Sequence, residues 1–172
     1  MKTPFLLPVT IIALMALQSN AQTKPAPSKE ATPATKLAQQ KVLESLPFAN
    51  KEDFELATRG FIARPKELII KDDNGKVVWN MESYSFIEQN KTAPETVNPS
   101  LWRNAQLNTL SGLFKVSDTI YQVRGYDLSN ITFIQGKTGW IVLDPLISSE
   151  TAKAAYDLVT EHLGKRPVVA VI

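Results

Sequence analysis

Residues 140–172, WIVLDPLISSETAKAAYDLVTEHLGKRPVVAVI, contain a strand, a helix and a second strand in succession. The helix is predicted between a cap at Ser148 or Ser149 and a stop at Gly164. Its apolar positions share helical spacing: Ala152, Ala155, Tyr156, Val159 and Leu163. Residues 167–172 are continuously apolar, which is typical of a strand covered on both faces. This β-α-β order implies a parallel strand pair joined by a right-handed crossover.

Further strands are predicted upstream of this unit. Two of them, over 119–123 and 131–134, flank the polar loop 124–130. A hairpin is predicted around Asn74 and Gly75, because both residues tolerate the positive φ angles of a tight turn between apolar segments. Strands that alternate with helices in this way predict an α/β fold class.

Three helices are predicted in the first two-thirds of the chain. The first spans 37–46. The second begins after Asn50, a favoured cap residue, and ends at Gly60. The third begins at Asn98-Pro99, where a cap residue precedes a proline at the first helical position.

The N-terminus has the three regions of a secretory signal peptide. A basic residue precedes a 13-residue apolar run over 5–17, and small residues end the segment at Ala21. The run is too short to span a bilayer comfortably; the alternative is a buried N-terminal helix. Cleavage after residue 21 would leave a proline-containing tether over 22–36. The expected location is therefore periplasmic or secreted, with no membrane association after cleavage.

Composition excludes several classes of function. The chain has 172 residues, 44% of them hydrophobic, and a formal net charge of +2. This charge gives no electrostatic footprint for nucleic acid, so no nucleic-acid partner is expected. There is no cysteine, which excludes thiolate metal sites and cysteine nucleophiles.

Motifs for catalysis are also missing. The one histidine, His162, cannot supply the three protein ligands that a catalytic zinc typically takes, and it is interpreted as a surface or capping residue. No Gly-x-Ser-x-Gly elbow is present, and the tripeptide 137–139 is interpreted as a turn. No catalytic residue and no metal ligand is therefore assigned in this chain.

Two features are left as candidates for function. The loop 124–130 is either a plain hairpin connection or the rim of a site, since loops on rigid strands carry function. Asp144 precedes Pro145 at the end of a strand, so it is either a turn-forming residue or a carboxylate at a ligand-binding edge.

Three segments resemble the N-terminal part of the linear primary alkylsulfatases, which are metallo-β-lactamase-fold sulfatases that attack detergents such as dodecyl sulfate. The segments are 53–63, 96–104 and the discontinuous set 113–116, 124–130 and 140–146. The resemblance covers residues 37–172. It implies an N-terminal helical and hairpin extension over 37–112, followed over 113–172 by the incomplete first half of a metallo-β-lactamase-like αββα sandwich.

The resemblance also implies where the chemistry lies. In such proteins the strand that matches 167–172 leads into a His-x-His-x-Asp-His loop that binds two zinc ions. Ile172 closes a predicted strand with no turn or polar tail, so the chain is expected to be truncated before this loop; the alternative is that 167–172 is a last strand. By itself the chain is expected to bind no zinc and to be inactive.

The implied roles of individual residues are modest. Tyr126 and Asn130 are expected to contact substrate, while Asp127 and Asp144 are expected to support the metal-binding loop without binding metal. The full-length protein would hydrolyse a primary alkyl sulfate to alcohol and sulfate and would form a homodimer through a downstream region. The alternatives are another metallo-β-lactamase-fold hydrolase and a non-enzymatic secreted binding module.

Overall fold

A computed structural model describes residues 29–172; the predicted signal peptide and residues 22–28 of the predicted tether lie outside this range. The helices are α1 (Pro33–Ser45), α2 (Glu52–Thr58), α3 (Ser85–Gln89), α4 (Pro99–Asn108) and α5 (Ser149–Leu163), with a 3-10 helix at Met81–Tyr84. The strands are β1 (Phe61–Ala63), β2 (Ile69–Lys71), β3 (Val77–Asn80), β4 (Gly112–Lys115), β5 (Ile120–Arg124), β6 (Ile131–Gln135), β7 (Trp140–Leu143) and β8 (Val168–Val171).

Six strands form one mixed sheet in the order β1-β4-β5-β6-β7-β8, and β2 and β3 form a separate hairpin. Only β7 and β8 are parallel; every other neighbouring pair in the described sheets is antiparallel. The predicted parallel β-α-β unit is confirmed, and so is the α/β fold class.

The predicted environment of the last strand is wrong. We expected 167–172 to be covered on both faces, but Val168, Val169 and Val171 are 43%, 51% and 60% exposed. The physical reason is that no element described over residues 29–172 covers the faces of β8, which pairs there with β7 alone. An apolar run shows that a strand is suited to burial, but burial also requires a neighbouring element that covers the strand.

Side-chain caps explain where three of the five described α-helices begin. The Asn98 side chain accepts a hydrogen bond from the Ser100 amide at 2.8 Å, as expected for a cap before a proline at the first helical position. The Ser148 hydroxyl accepts from the Thr151 amide at 3.1 Å and forms a capping box with that residue. The first helix begins earlier than predicted, because Thr32 caps it; residues 33–36 of the predicted tether are therefore helical.

The predicted N-terminal extension is joined to the large sheet. Strand β1, which sequence patterns did not predict, pairs with β4, so Phe61 lies opposite Phe114. The boundary predicted between residues 112 and 113 falls inside β4. The division into an extension and a sandwich half remains a prediction from resemblance.

The core lies between α5 and one face of the large sheet. Six of its side chains are completely buried: Leu113, Val123, Phe133, Trp140, Ala155 and Val159. The Trp140 ring meets Tyr121 and Phe133 edge to face, with centroids 5.9 and 6.0 Å apart. Because burial of one large apolar side chain contributes about 1.5–3 kcal/mol, this cluster fixes the strands whose ends carry the candidate site.

Candidate functional site

The candidate site lies at one edge of the large sheet. Strands β5 and β7 both run antiparallel to β6, and β8 runs parallel to β7, so the carboxyl ends of β5, β7 and β8 meet at the same edge. The Asp144 amide donates to the Ile172 carbonyl at 3.0 Å, and the Ile172 amide donates to the Val142 carbonyl at 2.9 Å. Ligands in open α/β sheets bind beyond the carboxyl ends of strands, so this edge is where function is expected.

A nearly buried carboxylate, Asp127, ties two loops of this edge together. One oxygen, Oδ1, accepts from the Leu128 amide at 2.6 Å. The other, Oδ2, accepts from the Ile147 amide at 2.9 Å and from the Thr151 hydroxyl at 3.0 Å. One side chain therefore holds the loop after β5 next to the loop before α5. This is a structural contact between loops; the predicted support of a metal-binding loop by Asp127 remains a prediction.

The Asp144 backbone is strained. Its φ angle is 51°, and that of Leu146 is 71°, a region that residues other than glycine occupy at a cost of order 1–3 kcal/mol. The turn between β7 and α5 is held in this conformation on one side by the Ile172 contact and on the other by Asp127. The Asp144 side chain is exposed, and its predicted role toward metal ligands also remains a prediction.

Tyr126 and Asn130, both predicted to contact substrate, lie in different environments. Tyr126 is 3% exposed and belongs to the core cluster. Burial raises the pKa of Tyr126 to about 12, with a smaller contribution in the same direction from the charge of Glu161. Asn130 is exposed. Of the two, only Asn130 lies on a surface that a ligand reaches in the described chain.

A cleft of about 350 Å³ opens beside this edge. Its walls come from the end of β3, the 3-10 helix, α3, α4 and the loop after β5. Trp79 forms part of one wall, and its ring is held in place because the indole N–H donates to the Gly125 carbonyl at 2.7 Å. Asp127 and Asn130 both line the cleft, so two of the four predicted site residues share it.

Sequence reasoning missed the residues that build this site around Asp127. The contact between Asp127 and Thr151 joins positions 24 apart, and no local pattern predicts it. Two signals were nevertheless present. Leu128 is an apolar residue in a polar loop, and Thr151 follows the cap Ser148 at the spacing of a capping box.

The described residues do not fit a zinc pair. Within 29–172, no group of three or more His, Cys, Asp or Glu side chains lies close enough together to hold a metal ion. His162 lies in the last turn of α5, with its Nε2 atom 4.0 Å from the Glu161 carboxylate. Within the same range, no helix has the length and apolar composition needed to cross a membrane.

Comparison with known proteins gives close relatives, although no protein-family model matches the chain. A linear primary-alkylsulfatase from Pseudomonas sp. is 54% identical over 145 residues, which are 84% of this chain and 22% of the relative. An (R)-specific secondary-alkylsulfatase from Pseudomonas sp. is 46% identical over 163 residues, 95% of this chain and 24% of the relative. The solved structure of the stereoselective inverting sec-alkylsulfatase Pisa1 from Pseudomonas sp. matches with a TM-score of 0.77 at 49% identity, over 84% of this chain and 22% of that one.

Fold and sequence together show that the chain is homologous to part of the alkylsulfatases, so the resemblance to that family is confirmed. The chain spans about a fifth of the length of the curated relatives it matches, as expected for the N-terminal portion of such a protein.

Proposed function

We propose that this chain forms the N-terminal portion of an exported sulfatase that hydrolyses primary alkyl sulfate esters, such as dodecyl sulfate, to an alcohol and sulfate. The observation that supports the proposal best is the 54% identity to a linear primary-alkylsulfatase over 145 residues. Identity to the (R)-specific secondary-alkylsulfatase is 46% over a longer alignment of 163 residues.

The described residues contribute a scaffold and a rim to this function. The buried β5–β7 core fixes the sheet edge, and Asp127 holds the two loops that border it. The proposal includes two zinc ions, and because residues 29–172 contain no suitable ligand cluster, their ligands must come from the remainder of the longer protein. Residues of this chain then shape the approach to the reacting ester and do not take part in its cleavage.

The relatives also supply a second candidate substrate class, the secondary alkyl sulfates. The structural match is to a sec-alkylsulfatase at 49% identity, and the chain matches the (R)-specific secondary enzyme over 95% of its length. The two candidates differ in whether the sulfate group is attached to a primary or a secondary carbon.

The test is sulfate release by the longer protein, expressed with its native signal and purified with its metal. We expect turnover of dodecyl sulfate, loss of turnover after zinc chelation, and recovery when zinc is restored. Turnover of a secondary ester such as 2-octyl sulfate with no turnover of dodecyl sulfate would select the second candidate. Release of sulfate from neither ester would contradict both.

A further inference from the structure

We propose that Arg124 forms an ion pair with a carboxylate that lies in the longer protein, outside residues 29–172. The proposal rests on the proposed function only for the existence of that longer protein, and it adds the chemistry by which the remaining part contacts this chain. The contact surface is the face of the large sheet that points away from α5.

Uncharged groups hold the guanidinium of Arg124 in place. Its Nε atom donates to Oε1 of Gln122 at 2.7 Å, and its Nη1 atom donates to the Ala57 carbonyl at 3.1 Å. Its Cζ atom lies 4.3 Å from the centre of the Phe114 ring, which is within cation–π range. The orientation of the guanidinium is therefore set by this chain alone.

The positive charge of Arg124 has no negative partner within residues 29–172. No carboxylate oxygen of that range lies within 4.0 Å of the guanidinium, whereas Arg64 and Arg103 pair with carboxylates at 3.3 and 3.2 Å. The Nη2 atom of Arg124 also donates no hydrogen bond within that range. Burial lowers the pKa of Arg124, because the charged form is partly removed from water and no nearby negative charge compensates it.

Arg124 lies on the face of the large sheet opposite α5. Side chains of a strand alternate between the two faces, and Val123 is completely buried in the core beside α5. Gln122 and Arg124 therefore share the other face. On that face, Nε2 of Gln122 donates to the hydroxyl of Thr132 on β6 at 3.3 Å, so a row of polar groups runs from Arg124 across β5 to β6.

The neighbouring part of this face is apolar and incompletely buried. Ile134 of β6 lies opposite Ile141 of β7, and Leu143 lies opposite Thr132. All three apolar side chains are half-buried in the described chain, unlike the completely buried residues on the α5 side. An apolar area bordered by polar groups is typical of a surface that contacts another part of a protein.

A layer that covers this face must provide a negative charge for Arg124. A charge that is removed from water without a partner is strongly destabilising. A neutral acceptor would satisfy the Nη2 hydrogens but would leave the charge uncompensated. A carboxylate does both, because its two oxygens match the planar donors of a guanidinium. The partner that fits Arg124 is therefore an aspartate or glutamate side chain of the covering layer.

The direct test is a crystal structure of the longer protein, grown without sulfate. We expect an aspartate or glutamate oxygen from outside residues 29–172 within about 4 Å of the Arg124 guanidinium, the usual limit for an ion pair. A guanidinium that contacts only water and carbonyl oxygens, or a bound anion in place of a carboxylate, would overturn the proposal. This test does not depend on any variant being able to fold.

A double-mutant cycle then measures the contribution of the pair. Arg124→Gln should speed unfolding of the longer protein in urea at least tenfold, and so should replacement of the partner carboxylate by its amide. Because both changes remove the same pair, the double variant should unfold at least tenfold more slowly than two independent effects would give. Arg124→Lys, which keeps the charge, should retain part of this coupling.

Two other arginines of the chain provide matched controls. Arg103→Gln combined with Asp53→Asn should show coupling, because these side chains already pair at 3.2 Å. Arg166 donates to the Gly136 carbonyl at 2.9 Å and lies 5.7 Å from the Trp140 ring, with no carboxylate partner in the described range. Arg166→Gln should therefore show no coupling with the carboxylate that pairs with Arg124.

The outcomes separate this proposal from the proposed function. Absence of coupling between Arg124 and the nearest carboxylate would overturn the ion pair even if dodecyl sulfate is hydrolysed. A carboxylate at the guanidinium, together with coupling in the cycle, supports the ion pair even if no sulfate ester is cleaved; in that case only the proposed function fails.

Discussion

Replacing Asp127 with alanine should loosen both loops at the sheet edge while leaving the core intact. The change removes three accepted hydrogen bonds, from the Leu128 amide, the Ile147 amide and the Thr151 hydroxyl. A hydrogen bond to a charged group contributes about 1.5–3 kcal/mol. Since 1.4 kcal/mol is a factor of ten, loss of one such bond should speed local opening about ten- to a hundredfold.

Hydrogen exchange followed by mass spectrometry on the longer protein measures this opening directly. The peptides to follow contain the Leu128 and Ile147 amides, and a peptide from β6 reports on the core. In Asp127→Ala, exchange should accelerate at both loops and stay unchanged in β6. Asp118→Asn is the control, because Asp118 is fully exposed and is paired only with Lys115 at 3.2 Å.

The account of Asp127 is contradicted if both loop amides keep their parental protection in Asp127→Ala. It is also contradicted if Asp118→Asn loosens the loops to the same extent. Asp127→Asn should give an intermediate result, because the amide retains one oxygen as an acceptor but places an N–H₂ group against a donor.

Three further predictions concern the scaffold. Gly125→Ala should lower the thermal midpoint by several degrees in a melting curve, since a Cβ there would lie 2.4 Å from the Ser111 Cβ at a φ of 77°; an unchanged midpoint would contradict this geometry. Burial favours the neutral phenol of Tyr126 and raises its pKa from 10.0 to about 12, so the unfolded chain loses this proton first as pH rises. Stability should therefore fall by about 2 kcal/mol between pH 10 and 12, and Tyr126→Phe should remove that component of the pH dependence in denaturant titrations. The polypeptide 29–172 should self-associate through the exposed apolar edge of β8, and light scattering should show less association in Val169→Lys than in the parent.

Local sequence patterns correctly predicted the secondary-structure elements that short-range interactions determine. The hairpin at Asn74-Gly75 is present, and the caps Asn98 and Ser148 begin helices as expected. The parallel pairing of β7 and β8 also followed from the order of elements and a general rule of handedness and proximity. In each case the physical cause lies within a few residues or within one β-α-β unit.

Features that depend on distant partners could not be predicted in this way. Strands β1 and β4 have three and four residues, too short for a period-two pattern to be recognised, and each is stabilised by pairing with the other. The exposure of β8 is set by which element lies beside it. The hydrogen bonds that Asp127 accepts depend on the loop after β5 lying next to the N-terminus of α5.

The candidate site was predicted only in part, for the same reason. The polar loop 124–130 and Asp144 were identified as functional candidates because they follow strands, and the structure brings both to one sheet edge. The burial of Tyr126 was not foreseen, because a tyrosine beside glycine and aspartate has the composition of a surface loop. The cleft requires three separate stretches of the chain, 79–87, 105–109 and 125–130, to come together, and no single stretch indicates it.

Zinc content tests the central claim most directly. We would purify the polypeptide 22–172 and the longer protein under the same conditions, and measure metal per chain by elemental mass spectrometry after dialysis against zinc. The account expects no bound zinc on 22–172, whose described residues contain no cluster of ligating side chains, and two zinc ions per chain of the longer protein. Stoichiometric zinc on 22–172, or a longer protein that binds none, would contradict it.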